Sequence, residues 1–490
     1  MDVEKETRIE FDVITAIIIV IVVIAALFGI AIATNVFEFE ANSDSIELSE
    51  SSATPESFQF SLENTHSNDL VIDEITIDGQ TCQVCMNSAI IEEGEIKKVS
   101  CSNIPHEGSS FGHNVVISFR DTKNTYQKSA QHSTSGVVLN NAFTPDTLEP
   151  QFERVYKTPD KDEAIEGTAA NNCPQILVTG TKEETENSFD LFLYTFDEKA
   201  QPQLSRLWDL HEYDTGKSID MSSRGQIFVY GDTYQQTQGS DTMLLVTDGY
   251  LSAYSERIMG TSEPEIATNI YIDSEDYIYT ITKIQGSNPK IVIAKSDVNT
   301  EVIWEKEIPI QKRSTYLASK LIEDKLYFFV SDNSGINSIL NVYDKEGIEI
   351  KTITIPFIVN DIAIDSENNF ILVGEEKGQA SSDAQIKKYS PNWNLLWSQE
   401  WGDSTNAVYS GIAIAPDNTI ITAGNFRVST TVFRSVIQTY SPEGVELQAY
   451  LLRAPNSLKI INIELTYDAL YAIGEIENDG QRDVYIAKFT

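Results

Sequence analysis

The chain has 490 residues, with Lys+Arg 35 against Asp+Glu 74 and a formal net charge of −39. That length exceeds what one hydrophobic core usually serves. The acidity argues against nucleic-acid binding, whose phosphates demand basic patches, and against docking on anionic lipid. A hydrophobic fraction of 41% excludes a disordered acidic tail.

Residues 1–12 read as a short cytoplasmic leader. Residues 13–37, VITAIIIVIVVIAALFGIAIATNVF, carry no charge. As a helix they reach roughly 37 Å, enough to cross a bilayer with some tilt. Ala31-Ile32-Ala33 offers a signal-peptidase site, but the apolar run is long and its leader is not basic, so the reading is an uncleaved transmembrane helix. Lys5 and Arg8 precede the span and the next basic residue is Lys97, which places the N-terminus in the cytoplasm and the bulk of the chain outside the cell membrane. Residues 38–55, rich in Glu, Ser and Asp, read as a solvated stalk.

Residues 56–145 alternate as strands do. SFQFSLEN, DLVIDEITIDG, AIIEEGEIKKVSC, HNVVISFRDT and SGVVLNN are separated by turn signals at Asp78-Gly79 and Glu93-Gly94. Short strands at this spacing predict a small Ig-like β-sandwich. With the apolar helix before it, this part resembles the extracellular sandwich of archaeal pilin-like and archaellum-stator-like proteins. It departs from them in that RIEFDVITA lacks the basic, Gly-ended processing site of a prepilin, so a plain single-pass anchor is expected.

Residues 150–490 repeat. QILVTG, QIFVYGD, YIYTIT, LYFFVSD, FILVGEE, IITAGNF and LYAIGEI begin at 175, 226, 277, 326, 370, 420 and 470. We read these as the inner strand. A short strand and polar turn precede most copies, as in IYIDSED, IAIDSEN and IAIAPDN. A third strand and a fourth, often with Trp, follow them. Four strands in about 50 residues make a propeller blade. The last copy ends at Thr490 without a fourth strand, and EPQFERVYKT lies free before the first copy. The predicted architecture is therefore mainly β, with a seven-bladed β-propeller closed by an N-terminal strand. GIAIAPDNTIITAG and SDVNTEVIWEKEI resemble the SBBP, NHL and PQQ types of propeller repeat, a resemblance that speaks to fold and not to function.

Trp397 matches Trp304 and Trp208 as a fourth-strand residue and is expected to pack between blades. Trp393 and Trp401 have no counterparts by this reading and are the candidate binding aromatics. Cys82, Cys85 and Cys101, with His106, offer a zinc set, but C-x4-H is a poor second ligand pair. The extracytoplasmic setting and the pilin-like resemblance imply instead a disulfide from Cys82 or Cys85 to Cys101. Cys173 is the single propeller cysteine, and the four allow three pairings.

DSEDYIY and DSENNFIL lack the pattern of a calcium loop. Only His211 of five histidines lies in the propeller, which disfavours a His-ligated metal centre or a Ser/His/Asp triad there. No P-loop, dinucleotide fingerprint or nucleophile elbow occurs, and no cofactor is expected. The expectation is a non-enzymatic, membrane-anchored binding or scaffold protein that presents its propeller to a surface protein or polysaccharide. The alternative is an extracytoplasmic propeller enzyme, a glycan hydrolase or lyase or a quinone-dependent dehydrogenase. Convergent carboxylates at the propeller axis would favour the enzyme.

Overall fold

The computed structural model describes residues 46–490 except for short segments, chiefly 54–56, 66–69, 86–89, 92–95, 103–109, 122–126, 138–147, 158–162 and 171–174. The leader, the apolar stretch 13–37 and residues 38–45 lie outside the described residues. Among those described, no helix is long and apolar enough to cross a membrane.

Two sheets come first. One orders Ile46–Ala53, Ser57–Asn64, Ile96–Ser102 and Gln83–Cys85; the other orders Gln80–Thr81, Leu70–Ile77, Ser110–Asp121 and Gln127–Val137, with Ile90–Ile91 pairing beside Leu70–Ile77. Alternate residues of both sheets, among them Phe60, Leu62, Ile75, Ile117 and Phe119, meet in one buried cluster. Each such side chain stabilises the domain by about 1.5–3 kcal/mol relative to exposure.

The stalk reading is corrected over Ile46–Ala53. This segment is a strand paired with Ser57–Asn64. Its Ile-Glu-Leu alternation puts Leu48 against the core, so alternation prevailed over a polar composition.

Seven four-stranded antiparallel blades follow, the first two joined into one sheet by a parallel pairing of Phe189 with Tyr213. Blade 1 is Glu163–Ala170, Ile176–Thr185, Ser188–Phe196 and Pro202–Trp208. Blade 2 is Tyr213–Met221, Ile227–Gln235, Gly239–Thr247 and Tyr254–Met259. Blade 3 is Glu265–Ile272, Ile278–Ile284, Lys290–Ser296 and Val302–Pro309. Blade 4 is Tyr316–Ile322, Lys325–Ser331, Ser338–Tyr343 and Glu349–Ile355. Blade 5 is Ile358–Ile364, Phe370–Lys377, Ser382–Tyr389 and Leu395–Trp401. Blade 6 is Ala407–Ile414, Ile420–Arg427, Phe433–Tyr440 and Glu446–Leu451. Blade 7 takes Ser457–Leu465, Leu470–Asn478 and Gln481–Phe489 from the end of the chain and Pro150–Tyr156 from before blade 1, with Tyr156 opposite Val484 and Arg154 opposite Ile486.

The ring is closed. The first strand of each blade lies against the first strand of the next, and Glu163–Ala170 of blade 1 lies against Ser457–Leu465 of blade 7. Seven apolar clusters fill the seven interfaces between blades, including Ile165, Val178 and Phe192 of blade 1 with Tyr471, Ile473 and Val484 of blade 7. A β-propeller is the only arrangement that satisfies both facts.

The repeated strands read as innermost from sequence are the second strands of their blades. They contain runs of consecutive buried apolar residues because neighbouring blades cover both their faces, as with LYFFV in Lys325–Ser331 and FILV in Phe370–Lys377. The strand before each of them lines the axis.

Every axial strand carries a bulge at one register position, between Ile165 and Gly167, Gly216 and Ser218, Ala267 and Asn269, Tyr316 and Ala318, Val359 and Asp361, Tyr409 and Gly411, and Ile460 and Asn462. A bulge bends its strand and strengthens the twist, which brings seven short strands around a narrow axis. The glycine of the repeat stands opposite the bulge. In blade 5 a Cβ on Gly374 would lie 1.9 Å from the Ile358 carbonyl oxygen, whereas blades 3 and 4 hold Thr282 and Val330 at this position.

Candidate functional site

The axial strands converge on a polar ring. Three residues past the bulge position stand Ala169, Asp220, Tyr271, Lys320, Ala363, Ala413 and Glu464, each paired to the equivalent residue of its second strand. Small residues in blades 1, 5 and 6 leave space for the large polar ones of blades 2, 3, 4 and 7. One step nearer the bulge, Asp361 of blade 5 faces Lys320, whose Nζ lies 3.3 Å from Asp361 Oδ1.

These groups sense one another across the axis. Burial pushes the Glu464 carboxyl up to about 7, Lys320 partly offsets this, and Asp361 and Asp220 add to it. Those partners sit on blades 4, 5 and 2, none adjacent to blade 7, so the coupling spans the channel. Burial also raises Asp220 to about 6, against N–H bonds from Met221 and Ile272. Burial alone would lower the Lys320 ammonium, but the Asp361 and Glu464 carboxylates outweigh it and raise its pKa.

Most of these side chains also strut adjacent blades. Asp220 Oδ2 accepts the Ile272 N–H at 2.8 Å, Asp361 Oδ2 accepts the Ile412 N–H at 3.0 Å, and Ser218 Oγ accepts the Ile270 N–H at 3.2 Å. Glu464 Oε1 accepts from Thr168 Oγ1 at 3.1 Å and from Asn462 Nδ2 at 2.9 Å. Each bond ties a blade to its neighbour or fixes the tie, so the ring is first a structural device. The two cavities described lie elsewhere. One of 270 Å³ opens beside Tyr156, Phe196 and Gln201 where blades 7 and 1 meet, and one of 130 Å³ is lined by Glu166, Phe189 and Tyr213. Both are smaller than typical small-molecule sites.

The tryptophans need a correction of register. Trp304 faces Lys295 and Trp397 faces Lys388, but Trp208 faces Leu191 and corresponds to Trp401, which faces Ala384. Trp401 therefore has a counterpart. Trp208, Met259, Ile308, Ile355, Trp401 and Tyr156 all take the same fourth-strand position. There Trp401 packs against Tyr409 and Phe426 of the next blade. Trp393, in a tight turn with φ 65°, stacks on Phe370 with ring centroids 4.1 Å apart. Both indoles are half-buried and make packing contacts within the propeller.

Cys82, Cys173 and His106 lie outside the described residues. Cys101 is fully buried in the sandwich core and disulfide-bonded, and its strand runs beside the one that ends at Cys85. A sulfur so bonded is no zinc thiolate. Among the described residues no group of three or more His, Cys, Asp or Glu is placed to hold a metal. The acids of DSEDYIY and DSENNFIL cap their own turns. Asp273 accepts N–H bonds from Glu275 and Tyr277, and Asp365 from Glu367 and Asn369.

A second surface was not anticipated. The fourth strands of blades 3 to 6 each bulge one residue after the hairpin turn, and the bulged residues are Ile303, Ile350, Leu396 and Leu447, between 49% and 53% exposed. Val302, Ile348, Leu395 and Val445 beside them are also exposed. The same bulge in blades 7 and 1 holds Gln151 and Gln203, and blade 2 has none. Eight large aliphatics thus line the outer rim of four consecutive blades, at one end of the propeller. The sequence signal was the aliphatic pair at each turn exit, as in EVIW and NLLW, which reads as ordinary strand.

No protein-family model matches the chain, and no curated protein matches it. Solved structures similar to it include the β-propeller domain of the trilobed protease from Pyrococcus furiosus, described as having an open velcro topology (11% identity, 66% of this chain and 95% of that one, TM-score 0.43). Sqt1 from Chaetomium thermophilum is 12% identical over 64% of this chain and 80% of its own, with TM-score 0.40. The WD40 domain of Toxoplasma gondii coronin is 10% identical over 69% and 86%, with TM-score 0.42.

Proposed function

We propose that this chain is a membrane-anchored, extracytoplasmic binding or scaffold protein, with a propeller of the SBBP, NHL or PQQ repeat type carried on a pilin-like helix and Ig-like sandwich. The uncharged stretch 13–37 supports the anchor. The Cys101 disulfide supports an oxidising compartment, and we assign Cys82 or Cys85 as its partner. The observation that carries the reading is the aliphatic rim of blades 3 to 6. Exposed aliphatics repeated at equivalent places in four successive blades, on an otherwise strongly charged protein, are the feature expected of an interaction site. The test is cross-linking of the full chain in its native membrane, then mass spectrometry of the linked peptides. One protein in fixed proportion, linked to the propeller, is expected. Recovery of the chain linked to nothing would overturn the reading.

The axial ring favours a second reading, an enzyme acting on a glycan. Glycoside cleavage uses one protonated and one ionised carboxyl group, and a carboxyl raised to about 7 beside other acids, as at Glu464, has that character. Turnover of a surface polysaccharide that Glu464→Gln abolishes, in a variant that melts no lower than the parent, would establish it. The interblade bonds of Asp220 and Asp361 weigh against it, since a reacting group must be free to reach its substrate.

A further inference from the structure

We propose that the rim of blades 3 to 6 docks a polypeptide segment rich in both aliphatic and basic residues, a deepening that rests on the binding reading above. The apolar half of the argument is the exposed bulged aliphatic at one register position in four successive blades, with a second exposed aliphatic one residue before it in blades 3 and 5 and two before it in blades 4 and 6. The charged half is what surrounds it in blades 3, 4 and 6, while Leu395 and Leu396 of blade 5 have polar neighbours. Glu301 precedes Val302; Glu346 and Glu349 flank Ile348 and Ile350; Glu443 and Glu446 flank Val445 and Leu447, and all five glutamates are exposed. A partner must cover aliphatic side chains and meet carboxylates between them, which asks for Lys or Arg interleaved with Leu, Ile or Val.

Other occupants fit less well. A second copy would bring another net charge of −39 to the same acidic rim. An anionic bilayer is repelled by those glutamates. A sugar would find aliphatics where stacking rings are wanted. Main-chain strand addition is hindered as well, because each exposed edge is broken by its bulge, so recognition falls to side chains.

The probe is a fluorescent synthetic peptide of alternating lysine and leucine, titrated by anisotropy with the full chain in nanodiscs of zwitterionic lipid, with empty nanodiscs as the blank. Two comparison peptides are all-lysine and alternating glutamate and leucine. The Lys-Leu peptide is expected to bind, and both others to bind at least about tenfold more weakly. I303S/I350S/L396S/L447S should lose about tenfold or more in affinity. E301Q/E346Q/E349Q/E443Q/E446Q should flatten the salt dependence. All nine positions are exposed, and unchanged melting checks that both variants fold.

Equal binding of the Lys-Leu peptide by the aliphatic variant overturns the proposal. So does equal binding of all-lysine peptide, which would mean charge attraction alone, or of Glu-Leu peptide, which would mean apolar adhesion alone. Self-association, or vesicle binding, that the aliphatic variant abolishes would replace the peptide by a second copy or a membrane. If this proposal fails while native cross-links map to another face of the propeller, the scaffold reading stands. If no partner is linked anywhere, that reading fails by itself.

Discussion

Trp397 Nε1 donates to the Pro442 carbonyl oxygen at 3.0 Å, and its indole lies flat enough on the next turn that a Cβ on Gly444 would sit 2.7 Å from Cδ2. Trp304 does the same one repeat-pair earlier, donating to the Lys345 oxygen at 3.0 Å and covering Gly347. Each indole belongs to the fourth strand of one blade and reaches the third-to-fourth hairpin of the next. Packing and a directional bond together fix the angle between blades. Gly444 also has φ 85°, a conformation that costs a residue with a Cβ. Gly444→Ala is therefore expected to destabilise the propeller by about 1–3 kcal/mol from strain and displaced indole. Trp397→Phe should cost about 1 kcal/mol for the lost hydrogen bond, plus a packing loss. Thermal melting of the two variants checks both, and no change in either would mean that the contact does not hold the blades.

The closing strand makes a prediction about cooperativity. Pro150–Tyr156 is the fourth strand of blade 7 and places Phe152 and Tyr156 against the interface of blades 7 and 1. Without it, Gln481–Phe489 becomes an open edge and that interface loses two aromatics. Deletion of residues 150–158 should lower the melting temperature of the whole propeller and remove hydrogen-exchange protection first from 481–489. An unchanged melting temperature would show that the interblade clusters suffice without closure.

A buried ion pair stands behind the Trp397 contact. Lys388 Nζ lies 2.7 Å from Asp365 Oδ2, both side chains are almost wholly buried, and the same ammonium donates to Pro442 O at 3.0 Å. Burial opposes ionisation of Asp365, but Lys388 and Asn369 prevail and hold its pKa below the ordinary value. Lys388→Ala leaves that carboxylate without its counter-charge and should cost about 3–5 kcal/mol. Lys388→Met with Asp365→Asn should recover most of the loss, since paired removal takes away the desolvation cost too. A double-mutant cycle in urea measures the difference. Because the folded pKa is depressed, this pair contributes fully above the unfolded value of 3.8 and is lost as pH falls below it.

The blade repeat was legible because the first half of its second strand is covered on both faces and so is largely apolar, with a glycine opposite the bulge in five of the seven blades. The closing strand was legible because a repeat was incomplete at one end and surplus at the other. The axial ring was not. Asp220, Tyr271, Lys320 and Glu464 differ in chemistry, and only a shared bulge puts them at one level, so no motif connects them. Trp208 was aligned with Trp397 because Trp at a strand end looks equivalent in sequence. The fourth-strand bulge in blades 1 and 5 and the three residues between Trp397 and Trp401 set the register that separates them. The rim aliphatics escaped because burial of a strand residue cannot be told from exposure when the outer edge is unknown.

The axial ring predicts how stability follows pH. Glu464 titrates near 7 in the folded chain against 4.5 ordinarily, and Asp220 near 6 against 3.8. The folded state therefore binds protons more tightly than the unfolded state in these windows, and stability falls as pH rises through them. Melting temperature should climb as pH is lowered from 7 toward 4.5. Glu464→Gln replaces the carboxyl by a neutral group of the same shape that still accepts from Thr168. It should stabilise the propeller above pH 7 by about 1–3 kcal/mol. Its melting temperature should also vary less with pH than that of the parent. Lys320→Met should act the other way and move the parent's midpoint up, since Lys320 is the group that holds Glu464 down. Melting of the three proteins across this pH range decides it: a parallel pH dependence in Glu464→Gln and the parent would mean that Glu464 does not titrate in the ring.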